Sequence, residues 1–197
     1  QLVLALAEFI AMREKRMGLQ FKKPPLVSVD FSNLKFASSK LMGVGFPYVG
    51  SKGTKGAEKP ILRTDNFPKN RLIVCLLDEL EKAFGRDNTT EDEPGGIMGV
   101  LVSILDKGLV ENHWGESVNL GRTIVVPTSN IGSKEIMGTI KDKRIGFLRD
   151  IRGEGGHLTD EQVSELNEHI YNVVKTEYEK FFPPELINRF GDIIVFR

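Results

Sequence analysis

Apolar residues along this chain follow two patterns, the 3.6-residue period of amphipathic helices and the short continuous runs typical of buried strands. The helical pattern predicts helices over residues 2–17, 34–41, 57–64, 97–107 and 158–181. The apolar runs predict strands over residues 26–31, 71–77, 123–127 and 192–196. Glycine-rich or polar stretches at residues 43–56 and 85–96 separate them as predicted loops. Strands separated by helices favour a parallel sheet with helices on both faces.

The run Arg71–Lys82, RLIVCLLDELEK, changes abruptly from apolar residues to two carboxylates, Asp78 and Glu79. On this segment alone two interpretations remain open. Leu72 and Leu76 fall at helical spacing and LLDELEK favours an ordinary amphipathic helix. A buried strand that ends in two acids fits the same residues. The segment therefore needs its neighbours before its structure is decided.

Polar residues follow three of the predicted strands at the point where each strand ends. Asp30 ends the first strand, Asp78 and Glu79 end the second, and Thr128–Asn130 follow the third. Parallel sheets place their chemistry at the carboxyl ends of their strands. In ATPases built on such sheets, one acid holds Mg²⁺ and the next polarises the water that attacks the γ-phosphate. This arrangement favours the strand interpretation and predicts a nucleotide-hydrolysis site.

Composition excludes several other classes. Lys plus Arg and Asp plus Glu are equal at 27 each in the 197 residues, which gives no basic footprint for a nucleic-acid partner. Cys75 is the only cysteine, so we expect a buried core residue rather than a disulfide or a zinc ligand. No apolar run reaches the roughly 18 residues of a membrane span. We expect a cytoplasmic protein with no membrane partner, with an organelle matrix as the alternative.

Six motifs occur in order over nearly the whole chain: QLVLALAEFIA at 1–11, LVSVDFSNL at 26–34, RLIVCLLDELEKA at 71–83, SILDKGLV at 103–110, TIVVPTSNIGS at 123–133 and FFPPELINRFGDIIVF at 181–196. In sequence and in order, these motifs resemble the AAA+ ATPase module of Clp-type protein unfoldases and disaggregases. The resemblance implies a three-layer α-β-α P-loop NTPase fold with a mainly parallel sheet. It also implies that residues 1–197 form one AAA+ large subdomain.

The resemblance assigns roles to four residues of an ATP site. Asp78 would hold Mg²⁺, usually through water, and Glu79 would orient the attacking water. Asn130 would be the polar sensor of the γ-phosphate, although an asparagine there is also a common helix cap or turn residue. Arg189 would be the arginine finger that contacts the nucleotide of a neighbouring subunit, although a surface ion pair is the alternative. A finger acting between subunits implies a homo-oligomeric, typically hexameric ring.

The same resemblance places Tyr48 and Val49 in a loop that faces the central pore and grips a threaded polypeptide. A proline at position 47, directly before Tyr48, departs from the family pattern and stiffens that side of the loop. The polar stretch Gly85–Gly96 is a second departure, interpreted as a solvated insertion. Asn112–Gly115 falls near a second pore-facing loop. Unfolded or aggregated polypeptide is the expected substrate, and a partner protease is a further candidate partner.

The sequence has no G-x-x-x-x-G-K-[ST] loop, on whose amides and lysine ATP binding depends in this class. The resemblance places that loop before Gln1 and the small helical lid after Arg197, so we expect a module cut at both ends that is inactive on its own. The function implied for the parent protein is ATP-dependent unfolding or disaggregation. A non-hydrolysing assembly module and an AAA+ machine for a secretion system or another complex are the alternatives.

Overall fold

The computed structural model describes residues 1–32, 37–45, 52–53, 57–84, 96–138 and 159–196. These residues form two compact units, Gln1–Ser129 and Asn130–Arg197.

The described residues of the first unit form three α-helices and five strands. The helices are α1 (Leu2–Arg16), α2 (Ala37–Met42) and α3 (Gly96–Lys107). The strands are β1 (Leu26–Asp30), β2 (Ile73–Asp78), β3 (Leu109–Glu111), β4 (Ser117–Asn119) and β5 (Thr123–Pro127). Strands β1, β2 and β5 form a parallel sheet in the order β1-β2-β5. The predicted α/β class with a parallel sheet is therefore confirmed.

Strand β2 lies at the centre of this sheet and is apolar along almost its whole length. Ile73, Val74, Cys75 and Leu77 are each no more than 4% exposed. Helix α1 packs on the strand through Ala7 and Ile10, which cluster with Val74. Burial on both faces explains why the run shows no alternation of apolar and polar residues. The strand interpretation of this segment is confirmed, and a 3₁₀ turn at Leu80–Phe84 directly follows it.

Two short elements of the first unit differ from the sequence prediction. The helix predicted over residues 57–64 is wrong, because the backbone amides of Ile61 and Leu62 bond instead to the carbonyls of Lys40 and Leu41. Pro60 also disfavours a helix that would pass through it. The antiparallel pair of β3 and β4 was not predicted. Strands of three residues are too short to show a period of two.

The second unit is helical in its described part. Residues 133–138 belong to a helix, α4, which is followed by α5 (Asp160–Phe181) and α6 (Pro184–Ile187). Helix α5 begins with a capping box, in which the Thr159 hydroxyl accepts from the Gln162 amide and the Gln162 side chain accepts from the Thr159 amide. Its buried face packs against three apolar neighbours from the rest of the unit. This cluster consists of Leu166, Ile170, Val174, Ile136, Ile193 and Val195.

The strand predicted over residues 192–196 is wrong. The segment has no regular secondary structure, and Ile193 and Val195 pack against α5. A strand exists only through hydrogen bonds to a neighbouring strand, and the described residues of the second unit include none. Within the described ranges, no helix is both long and apolar enough to cross a membrane.

Candidate functional site

Two carboxylates stand at the carboxyl end of the central strand. Asp78 is the last residue of β2 and Glu79 follows it, and both are half-buried. In the sheet register, Asp30 on β1 lies opposite Asp78, while Pro127 on β5 lies opposite Leu77. The ends of all three strands therefore meet at one edge of the sheet, as the sequence predicted. Asp78 and Glu79 form the core of the candidate site.

Thr128, the residue after β5, connects this edge to the tip of β2. Its hydroxyl donates a short hydrogen bond to Oδ1 of Asp78 and accepts a bond of 3.3 Å from the amide of Glu79. Its backbone amide bonds to the Leu77 carbonyl, and its own carbonyl accepts from the Leu80 amide, each at 2.9 Å. Sequence reasoning placed Thr128 beside the site but gave it no role. Its contacts depend on the register between β2 and β5, which the pattern of residues does not reveal.

Glu79 has an unusual backbone conformation, with φ of 53°. Residues other than glycine pay roughly 1–3 kcal/mol to occupy such a sparsely populated region, and such strain collects at functional sites. The conformation is held on both sides, by the bond from its amide to Thr128 and by the bond of 2.9 Å from the Lys82 amide to its carbonyl. The chain thus leaves the strand and enters the 3₁₀ turn within one residue.

Asp30 supplies another carboxylate to the same edge. Its Oδ1 accepts from the Ser32 amide at 2.8 Å. Hydrogen bonds from the side chain and the backbone of Ser32 lower the pKa of this exposed carboxyl group below its ordinary value. The amide of the intervening Phe31 bonds to the carbonyl of Asp78 at 3.0 Å. Asp30 therefore stays ionised at neutral pH and belongs to a turn that is bonded to the end of β2.

The acids at this edge of the sheet suit a Mg²⁺ ion that is held mainly by the bound substrate. Among the described residues, no three or more histidine, cysteine or acidic side chains gather into a metal site. Mg²⁺ commonly keeps several waters and takes only one or two carboxylates together with substrate phosphates. Asp78 matches that requirement, because Thr128 bonds to Oδ1 and leaves Oδ2 for a metal-bound water. The fit is to a nucleotide-borne ion rather than to a cage of protein ligands.

The predicted sensor and finger residues lie in the second unit. Asn130 is exposed, and its carbonyl accepts from the Ser133 amide at 3.2 Å. Arg189 is half-buried and donates through Nη1 to the carbonyl of Glu185. Both lie outside the first unit, which holds Asp78 and Glu79, so their grouping with those acids stays a prediction.

The predicted gripping residues Tyr48 and Val49 lie outside the described residues, and so do residues 85–95 of the predicted insertion. The predicted second pore-facing loop, Asn112–Gly115, is described and forms the turn between β3 and β4. The amide of His113 bonds to the Met42 carbonyl at 2.8 Å, and its Nδ1 donates to the Gly43 carbonyl at 2.7 Å. This turn is therefore fastened to the residues at the end of α2.

Comparison with known proteins identifies the family. A model of the AAA domain (Cdc48 subfamily) matches residues 19–193. The chain belongs to this AAA family. The chaperone ClpB of Staphylococcus aureus (strain COL) is 29% identical over 174 residues, which cover 87% of this chain. The chloroplastic chaperone ClpC3 of Oryza sativa subsp. japonica is 29% identical over 176 residues, again 87% of the chain.

Solved structures give the same result. The structure of the S. cerevisiae Hsp104:casein complex in its extended conformation matches with a TM-score of 0.54 and 26% identity, covering 86% of this chain and 23% of Hsp104. The S. cerevisiae Hsp104-ADP complex matches with a TM-score of 0.53 and 26% identity over 84% of this chain and 22% of that one. The predicted resemblance to Clp-type AAA+ modules is confirmed. The AAA domain described here spans 16% of the length of ClpB and of ClpC3.

Proposed function

We propose that the full-length protein is an ATP-dependent unfoldase or disaggregase that threads polypeptide through the pore of a ring. The observation that carries the proposal is the Asp78–Glu79 pair at the carboxyl end of β2, held by Thr128. Support also comes from membership of the AAA family and from the similarity to ClpB and Hsp104. The 197-residue chain is one ATPase core of that machine.

In this proposal, each acid has a separate task in ATP hydrolysis. Asp78 binds Mg²⁺ through water, and Glu79 orients and deprotonates the water that attacks the γ-phosphate. When bound, Mg²⁺ neutralises the negative charge that develops on the phosphates. Asn130 senses the γ-phosphate with its side-chain amide. The strained backbone of Glu79 supports an assignment to catalysis, because it fixes the position of the acid at the moment it leaves the strand.

The proposal extends to assembly and substrate. Arg189 acts on the ATP of a neighbouring subunit, because a guanidinium can contact two phosphate oxygens at once and always carries its charge. A finger that acts between subunits requires a homo-oligomeric ring, and we propose a hexamer. The ring works in the cytoplasm. Tyr48 and Val49 contact the threaded polypeptide, and support for a protein substrate comes from the Hsp104:casein complex, in which a similar protein binds casein. A partner protease would degrade the product.

The test measures Mg²⁺-dependent ATP turnover by the full-length protein and by its Asp78→Asn and Glu79→Gln variants. Both variants should lose at least about 100-fold in kcat, because each removes a group that acts on the reacting phosphate or water. Glu111→Gln, at an exposed acid in β3, is the matched control and should retain full turnover. Normal turnover in Glu79→Gln would contradict the proposal.

The alternatives give different results in the same assays. A non-hydrolysing assembly module would show no turnover in the unmodified full-length protein. An AAA+ machine that remodels a secretion system or another complex would hydrolyse ATP, and Tyr48→Ala would not reduce the unfolding of a model substrate. For the 197-residue chain alone we expect no ATP turnover, because it contains no phosphate-binding loop.

A further inference from the structure

We propose that Thr128 is a positioning residue of the hydrolysis site, whose single hydroxyl sets the orientation of Asp78 and the backbone of Glu79 together. The inference rests on the proposed ATPase function of this AAA domain. It assigns a role to a residue outside the acid pair that bonds to both of its members.

The direction of the hydrogen bonds at Thr128 follows from the chemistry of the groups. The amide of Glu79 can only donate, so it takes a lone pair of the Thr128 hydroxyl at 3.3 Å. The hydroxyl proton is then available to Oδ1 of Asp78, with which it makes a short bond. Hydrogen bonds to a charged group are about twice as strong as neutral ones. One oxygen atom therefore links the metal-side acid to the backbone of the catalytic base.

The hydroxyl acts on both acids at the point where the chain leaves the strand. Asp78 is the last residue of the strand, and Glu79 carries a φ of 53°, whose energetic cost must be offset by the contacts that surround it. Without the hydroxyl, the Asp78 carboxylate can rotate away from its present orientation, and the Glu79 amide loses its hydrogen-bond acceptor. Both changes displace groups that must meet the metal and the attacking water at fixed distances.

Removing the hydroxyl leaves the frame of the site in place. The amide of Thr128 still bonds to the Leu77 carbonyl, and its carbonyl still accepts from the Leu80 amide. Valine keeps the β-branch and the shape of threonine, and position 128 is only half-buried. Thr128→Val thus isolates the hydroxyl, and Thr128→Ser restores a hydroxyl without the methyl group.

The experiment compares full-length Thr128→Val, Thr128→Ser and Glu79→Gln in steady-state ATP turnover at a series of ATP and Mg²⁺ concentrations. Thr123→Val is the matched control, because Thr123 is the first residue of β5, the strand that Thr128 follows, and is also half-buried. We expect Thr128→Val to lower kcat roughly 10- to 100-fold, the range set by one hydrogen bond to a charged group. The Mg²⁺ concentration that half-saturates turnover should rise in this variant. The KM for ATP should change less than about threefold, because both hydrogen bonds of the hydroxyl go to protein groups.

Thr128→Ser should recover most of kcat, and Thr123→Val should match the unmodified protein. Wild-type turnover in Thr128→Val would overturn the inference, as would a serine variant impaired as much as the valine variant. A fall in kcat with an unchanged Mg²⁺ half-saturation and a lowered melting temperature would also overturn it, because that pattern reports loss of folding. If Glu79→Gln keeps its turnover, the proposed function fails. If Thr128→Val keeps its turnover while Glu79→Gln loses it, the proposed function stands and only the inference about Thr128 fails.

Discussion

Replacing Asn112 with alanine should destabilise the turn between β3 and β4 far more than the same replacement of an exposed asparagine in this hairpin. Asn112 is only 3% exposed, and all of its side-chain hydrogen bonds go to the backbone. Its Nδ2 donates to the Leu62 carbonyl at 2.7 Å. Its Oδ1 accepts from the amides of Trp114 and Glu116, both at 2.9 Å. Alanine leaves all three backbone groups without these partners.

The expected cost follows from this count of bonds. A typical hydrogen bond contributes about 1 kcal/mol net, and leaving a buried partner unsatisfied costs at least as much. Three such bonds therefore correspond to about 3 kcal/mol of local stability in the turn. Asn119, which is exposed, makes one side-chain bond of 2.8 Å to the Gly121 amide. We expect Asn119→Ala to cost less than about 1 kcal/mol.

Hydrogen exchange of the full-length protein measures this difference locally. In peptides that cover residues 109–120, Asn112→Ala should lower the protection of the turn amides about 100-fold, since 1.4 kcal/mol corresponds to a factor of ten. Asn119→Ala should lower it less than about fivefold. Equal protection in the two variants would refute the reasoning, because it would mean that the buried hydrogen bonds of Asn112 do not hold the turn.

Three further predictions concern stability and reactivity of the 197-residue chain. Glu14→Gln should lower the free energy of urea unfolding by about 3 kcal/mol, because it breaks a buried ion pair with Arg71 whose two hydrogen bonds both have N···O distances of 2.7 Å. A loss no larger than that caused by Lys175→Met, at an exposed ion pair, would contradict this prediction. Thr159→Ala should lower the stability measured by thermal unfolding by about 1 kcal/mol, because α5 loses its N-cap, and Thr159→Ser should keep most of that stability. Equal melting temperatures for the unmodified protein and both variants would argue against the cap. Burial raises the pKa of Cys75 from 9.0 to about 12, so the native thiol should resist a thiol-reactive disulfide at pH 8. The free energy of unfolding should fall as the pH rises from 9.0 to about 12, because in that range only the unfolded thiol is ionised. Labelling of the native protein at the rate of the unfolded protein would contradict burial.

The sequence predicted the parallel sheet and the position of the acid pair because these depend on long, unbroken signals. Strand β2 is buried on both faces, so its apolar run is continuous and ends sharply at Asp78. Helix α5 carries both a capping box and an apolar stripe, and its predicted start was within two residues of the observed one. In both cases, local preference and tertiary packing favour the same structure.

The errors arose where distant parts of the chain decide local structure. Residues 57–64 have an acceptable helical composition, but the amides of Ile61 and Leu62 bond to carbonyls near the end of α2. Residues 192–196 have the composition of a strand, but in the second unit they pack on α5 without a neighbouring strand. The contacts of Thr128 with Asp78 and Glu79 depend on which residue of β5 lies beside which residue of β2. A single sequence gives no information on that register.

Cleavage of bound ATP in a single turnover would report directly on the role of Glu79. Full-length Glu79→Gln protein in excess over ATP should bind the nucleotide as well as the unmodified protein does, because the substitution keeps the side chain's shape and leaves Asp78 in place. We expect the bound ATP to stay intact for at least about 100 times longer than in the unmodified protein, since no carboxylate remains to activate the water. Cleavage at the unmodified rate would contradict the assignment of hydrolysis to the acid pair.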